Sequence, residues 1–135
     1  MNMTNGNPQG TNGESMADEI FGESIYCYSR AQALADGVLV DIFEWARRHG
    51  IKYPTACTHS VWALIEAIED PHPTLRHVQV LGRTDAVLVA MLAAIRQARG
   101  TDRVHFEALG CALWAQCGPG DTSEPVITVM LEGED

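Results

Sequence analysis

Between Thr84 and Gly100 the chain carries its longest apolar run, the ten residues Ala86 to Ile95. This run limits what the rest can be. A bilayer span needs roughly 18 or more apolar residues, so the run is read as a core helix rather than a transmembrane one. Its apolar residues recur nearly all round, which predicts burial on most sides. Thr84 is placed as the N-cap and Gly100 as the stop, giving a buried central helix over 85–99. With 135 residues, 46% of them apolar and 20% charged, the chain has material for one packed domain and not two.

Other helices announce themselves by their caps. Ser29 precedes Arg30–Asp36, which Gly37 ends, and Asp41 precedes Ile42–His49, whose last turn holds Arg47, Arg48 and His49. Thr58 precedes His59–Glu69, where Val61, Leu64, Ile65 and Ile68 keep helical spacing before Asp70-Pro71-His72-Pro73. Val38–Val40 is short and β-branched, Lys52-Tyr53-Pro54 is a turn or link, and Leu75–Leu81 alternates as a weak strand. Three strands follow the central helix: Arg103–Leu109, Ala112–Cys117 and Pro125–Leu131. Helices first and strands after predict an α+β domain, with about four helices packed on a C-terminal three-stranded antiparallel meander. Residues 1–18 are read as a flexible tail, 19–131 as the globular domain with Ile20–Tyr28 as its lead-in, and 132–135 as an acidic tail.

The formal charge is −9, and it sits at the ends. Residues 1–18 and 121–135 hold −7 of it, leaving nine basic against eleven acidic residues over 19–120. Such a chain repels phosphate backbones and anionic lipid, so neither nucleic acid nor membrane is an expected partner. No basic start followed by an apolar stretch and a cleavage site opens the chain, so it is read as cytoplasmic, with its four cysteines reduced. Cys27, Cys57, Cys111 and Cys117 all have apolar neighbours and are expected as buried thiols.

Chemistry-bearing patterns are sparse. Cys57-x-His59, the His72/His77 pair and the Cys111/Cys117 pair do not assemble into the tandem spacing of a zinc site. The chain has no G-x-S-x-G, no H-E-x-x-H and no glycine-rich phosphate loop running into a helix. We therefore expect no catalytic residues, no metal and no cofactor. The nine-residue, proline-containing link between the second and third helices, and the absence of Lys or Arg on the third, argue against a helix-turn-helix reader. Surface recognition is left. Tyr28 beside Arg30, and Tyr53 beside Lys52, have the composition of interface anchors. Glu66, Glu69 and Asp70 form an acidic helix end that a basic partner groove would meet.

The block Ile25-Tyr26-Cys27-Tyr28-Ser29-Arg30-Ala31-Gln32-Ala33, continued by Asp36-Gly37-Val38-Leu39-Val40-Asp41, resembles a family of small bacterial proteins of unassigned function carried on plasmids, integrative elements and phage-related islands. Lys52-Tyr53-Pro54, Val61-Trp62, Gly118-Pro119-Gly120-Asp121 and Glu124-Pro125-Val126-Ile127-Thr128 fit the same pattern, so the resemblance covers residues 20–131. It implies a mobile-element setting and brings no residue roles with it. The expected function is that of a small acidic interaction protein, a counter-defence inhibitor of anti-CRISPR or anti-restriction type that binds a host nuclease complex. Two alternatives stand beside it. One is a Cys57/His59 metal protein or a small enzyme. The other is an accessory protein that binds an element-encoded partner, as a homodimer joined through Pro125–Leu131 as an edge strand.

Overall fold

Ser29 opens the first helix, α1 (Arg30–Asp36), through a capping box. Its hydroxyl accepts from the Gln32 N–H, and the Gln32 side chain accepts from the Ser29 N–H at 2.9 Å. Gly37 ends α1 at φ 80, a left-handed conformation that costs a glycine little. A computed structural model describes residues 28–134. The expected tail over 1–18, the lead-in Ile20–Cys27 and Asp135 lie outside the described residues.

Strand β1 (Leu39–Asp41) leads into α2 (Phe43–Arg48), where the Asp41 carboxylate accepts the Phe43 N–H at 2.9 Å. Strand β2 (Thr55–Thr58) leads into α3 (His59–Glu66), with the Thr58 hydroxyl capping the Val61 N–H as its position predicts. The third helix stops at Glu66, three residues short of its expected end. Arg83 explains this by donating to Leu64 O and Ile65 O, both at 2.8 Å, while Arg76 donates to Glu66 O at 3.2 Å. Two guanidinium groups thus satisfy the helix's orphan carbonyls and its negative dipole end.

The fourth helix corrects two expectations. It is one element, α4 (Arg76–Gln97, 22 residues), which absorbs the segment Leu75–Leu81 expected as a strand. Thr84 is not its cap but sits fully buried inside it, its hydroxyl donating to Val80 O at 2.8 Å. Gly82 and Thr84 read as a break in the sequence, yet the inward stripe Thr84, Val87, Leu88 and Met91 packs without a gap. A helix-interior glycine costs about 1 kcal/mol against alanine, whereas one fully buried Leu or Met returns about 1.5–3 kcal/mol, so packing wins. The helix is buried on that face and not all round, since Val78, Val89 and Ile95 are exposed. By length and hydropathy alone α4 could cross a bilayer. In the fold its inner face completes the core.

Strands β3 (Arg103–Ala108), β4 (Cys111–Pro119) and β5 (Pro125–Leu131) form the expected antiparallel meander. Leu109 (φ 54) and Gly110 (φ 75) make the two-residue turn between the first two, both in the left-handed region that such a hairpin requires. The sheet is larger than the meander. It has five strands in the order β1-β2-β5-β4-β3, with β2 running parallel to β5 and pairing Thr55 with Ile127 and Cys57 with Val129. Strand β5, expected at an edge, is therefore central, and it offers no free edge to a second copy.

Alternation divides the sheet's two faces. Val40, Cys57, Val104, Leu113, Ala115, Ile127 and Val129 point into the core, which Ile42, Val61, Ile65, Val87, Leu88 and Met91 close from the helical side. The opposite face carries Trp114 and Thr128 and is capped at one corner by α1. The C-terminal acids belong to the fold up to Glu134. The Glu134 N–H donates to Leu131 O at 3.0 Å, and its carboxylate accepts from Thr58 Oγ1 and the Leu131 N–H, both at 2.8 Å. Residues 132–134 form a tied turn rather than the tail expected from composition.

Candidate functional site

Two places gather unusual side chains, and they differ in kind. The first is a polar corner where α1 meets the open face of the sheet. Arg30, on the first turn of α1, donates to Thr128 Oγ1 at 2.7 Å and to Ile127 O at 2.9 Å. Burial pushes its guanidinium below the ordinary value, and the carboxylates of Asp41 and Asp121 act in the opposite direction. Asp121, 91 residues further on, accepts the Arg30 N–H at 2.6 Å and the Ala31 N–H at 3.0 Å. Tyr28 donates to Asp36 Oδ2 at 2.6 Å, and that bond raises its phenol. Gly120 lies so close to Val126 that an added Cβ would fall 2.9 Å from Cγ1. These groups line a cleft of about 400 Å³. The stretches Tyr28–Asp41 and Gly118–Thr128, far apart in sequence, thus meet in one cluster. Its polar atoms are largely spent on one another.

The second place is an aromatic groove of about 620 Å³ between α2, α3 and the first turns of α4. On α2, Ile42 and Ala46 face the core, which leaves Trp45 and Arg48, three residues apart, on the flank toward α4. On α3 the inward stripe is Val61, Leu64 and Ile65, and Trp62 stands one residue off it. The two indoles meet at 6.2 Å between centroids and 45° between planes. His77, Val80 and Leu81 complete the floor from α4, and Arg48, Arg76 and His77 give the lining three basic side chains and no acid. Its polar content is confined to that rim.

The residues expected from the sequence do not converge. Tyr28 and Arg30 share the polar corner. Tyr53 stands at a separate apolar cavity of about 240 Å³ with Ile95, Ala98 and Cys117. Glu66, Glu69 and Asp70 lie exposed at the end of α3 and the connection after it, where Gln79 Nε2 donates to Asp70 O at 3.1 Å. Three acids after residue 120 are engaged within the chain: Asp121 on α1, Glu132 with His105 at 2.8 Å, Glu134 on β5. Trp45, Trp62, Arg48, Arg76 and His77 were not singled out as a site. Their signal was present, because Trp62 falls out of phase with its helix's apolar stripe.

Of the cysteines expected as buried thiols, Cys57 is one, while Cys111 and Cys117 are not. Cys57 is buried, its thiol pushed up to about 12, chiefly by desolvation. That environment suppresses the thiolate a nucleophile or metal ligand needs. Cys111 and Cys117 are half-buried, and Cys27 lies outside the described residues. Cys57 points into the core while His59 is exposed, so the pair does not act together. Among the described residues no three His, Cys, Asp or Glu side chains gather as metal ligands. The comparisons return nothing to set beside this geometry: no family model, no curated protein and no solved structure matches the chain.

Proposed function

We propose that this protein acts by binding another protein, and that the aromatic groove is the contact surface. The observation that carries the reading is the half-buried Trp45–Trp62 pair at an open groove beside exposed Arg48 and Arg76, since Trp and Arg are the residue types on which binding energy concentrates. The fitting partner presents an apolar side chain to the indoles and carboxylates to the rim. The resemblance to a mobile-element family makes a host nuclease complex the first partner class to test, in the manner of an anti-CRISPR or anti-restriction inhibitor. An element-encoded complex comes second. Steric occupation of a partner's surface fits better than nucleic-acid mimicry, because three of the acids after residue 120 already hydrogen-bond within the chain.

The test uses purified nuclease complexes titrated with the wild-type chain and with Trp45→Ala and Arg48→Glu variants. Binding that weakens about thirtyfold or more on Trp45→Ala, as truncation of an anchor residue should give, supports the groove. Undiminished binding by both variants removes it as the contact surface.

A further inference from the structure

The groove between Trp45 and Trp62 has a chemical match within the chain itself. Residues 14–23 carry Glu14, Asp18, Glu19 and Glu23, and no Lys or Arg stands before Arg30. Between these acids lie the bulky apolar residues Met16, Ile20 and Phe21. Apolar side chains flanked by carboxylates suit a lining of two indoles with Arg48, Arg76 and His77 around them. Neighbouring acids leave Arg48 in need of a partner. Glu44 holds Arg47 at 3.4 Å, and Asp85 holds His49 at 3.0 Å. Glu66, Glu69 and Asp70 gather where Arg76 donates to Glu66 O. Arg48 has no carboxylate partner among the described residues.

The path from Tyr28 to the groove is short. Tyr28 donates to Asp36 at the end of α1, the Val38 carbonyl accepts the His59 N–H at 2.9 Å, and Trp62 stands one turn along α3 from His59. An open cleft of about 600 Å³ lined by Gly37, Val38, His59 and Ser60 lies on this path, and Val38 is exposed. Phe21 precedes Tyr28 by seven residues, about 24 Å of extended chain. From this we infer that the segment Asp18–Phe21 seats in the groove of its own chain. Ile20 and Phe21 meet the indoles, and Asp18 and Glu19 face Arg48.

A tethered segment needs far less contact area than a free partner. Its short link to Tyr28 gives an effective concentration in the millimolar range, so two apolar side chains and one charge pair are enough to hold it. A partner then enters the groove by displacing the segment, and its apparent affinity falls by the fraction of chains whose groove is open. That consequence rests on the groove being the contact surface; the seating of the segment does not.

Proton–nitrogen NMR of the full chain tests this through the indole N–H signals, assigned with Trp45→Phe and Trp62→Phe variants. Ile20→Ala with Phe21→Ala should shift the Trp45 and Trp62 signals. The Trp114 signal, whose N–H donates to Leu131 O and Glu134 O, should stay in place and report an intact fold. A peptide of residues 14–24, added to that variant at about 1 mM, should reverse the shifts. Asp18→Lys with Glu19→Lys should move the same two signals. Trp45 and Trp62 signals that ignore both variants overturn the inference. So does a shift that the peptide fails to reverse, or a wild-type spectrum that changes on dilution, which would put the segment of a second copy in the groove. The measurement needs no partner, so its failure leaves the groove standing as a contact surface. With a nuclease complex that binds, the double alanine should lower the dissociation constant about tenfold, as a groove closed about nine-tenths of the time requires. Weaker binding by that variant would make the segment part of the contact rather than its competitor, and would overturn the inference.

Discussion

The polar corner around Arg30 and the helical face around Trp45 are both half-buried, yet they are opposites in how their groups are satisfied. At the corner, each charged group has a partner within the chain: Arg30 holds Thr128 and Ile127, and Asp121 holds the start of α1. On the helical face, two half-buried indoles lean on each other beside exposed Arg48, Arg76 and His77, and the groove they line stays open. A cluster that satisfies itself stabilises the fold. A surface left unsatisfied at some cost in solvation is available to something else. The two regions should therefore respond in opposite ways to substitution.

The largest effect separates them directly. Arg30→Ala should cost about 2 kcal/mol, because it removes two charge-assisted hydrogen bonds across half-buried space. Arg48→Glu should stay within about 0.5 kcal/mol, as surface changes do. Urea unfolding measures both. Equal losses at the two sites would erase the contrast and make the groove rim structural.

The layer between the two regions is reached through Cys57. Its thiol is raised from 9.0 to about 12 by burial. Below pH 9 the thiol is protonated in both folded and unfolded chains, so it adds no pH dependence there. Above that the unfolded chain ionises first and the folded chain resists. Stability should then fall by up to about 1.4 kcal/mol per pH unit until the folded thiol titrates. Cys57→Ala should lower stability at neutral pH and flatten the alkaline slope relative to wild type, read from unfolding midpoints at neutral and alkaline pH. An unchanged slope would mean that the core admits water at β2.

Asp121→Ala comes next, at about 1 kcal/mol, since one carboxylate serves two N–H groups at the N-terminus of α1. Melting temperature reads it. Asp121→Asn should recover part of the loss, because the amide oxygen still accepts a hydrogen bond while the charge is gone. If Asn fares no better than Ala, the carboxylate acts on Arg30 by charge rather than on the helix by capping.

Local signals were readable and long-range ones were not. Ser29 with Gln32, Gly37 and Thr58 act as the caps that their residue types announce, and the three C-terminal strands fall within two residues of expectation. Strand β2 was missed because Thr55–Thr58 follows a proline and carries no alternation. Its pairing with β5 joins residues more than 70 positions apart, which no window along the chain can detect. Of the residues expected to form a site, Arg30 was found for a structural reason: the pattern that drew attention to it encodes a capping box and a clasp. The groove escaped notice because Trp45, Trp62 and Arg76 come from three helices. Only the packing of those helices brings them together.

The smallest effect tests the most instructive misreading. Thr84 stands where a cap was expected, and a cap hydroxyl replaced by an apolar group costs about 1–2 kcal/mol. In the fold it is an interior helix residue at 0% exposure, its hydroxyl bound to Val80 O, a carbonyl already engaged in the helix ladder. Thr84→Val exchanges that hydroxyl for a methyl group of similar size and strands no donor or acceptor, so stability should move by less than about 0.5 kcal/mol. Thermal unfolding of the two proteins decides between the values. A loss above about 1 kcal/mol would mean that α4 breaks near Thr84 in solution. Arg76–Gln97 would then be two shorter helices, and the inward stripe from Thr84 to Met91 would start at a helix end rather than run through one.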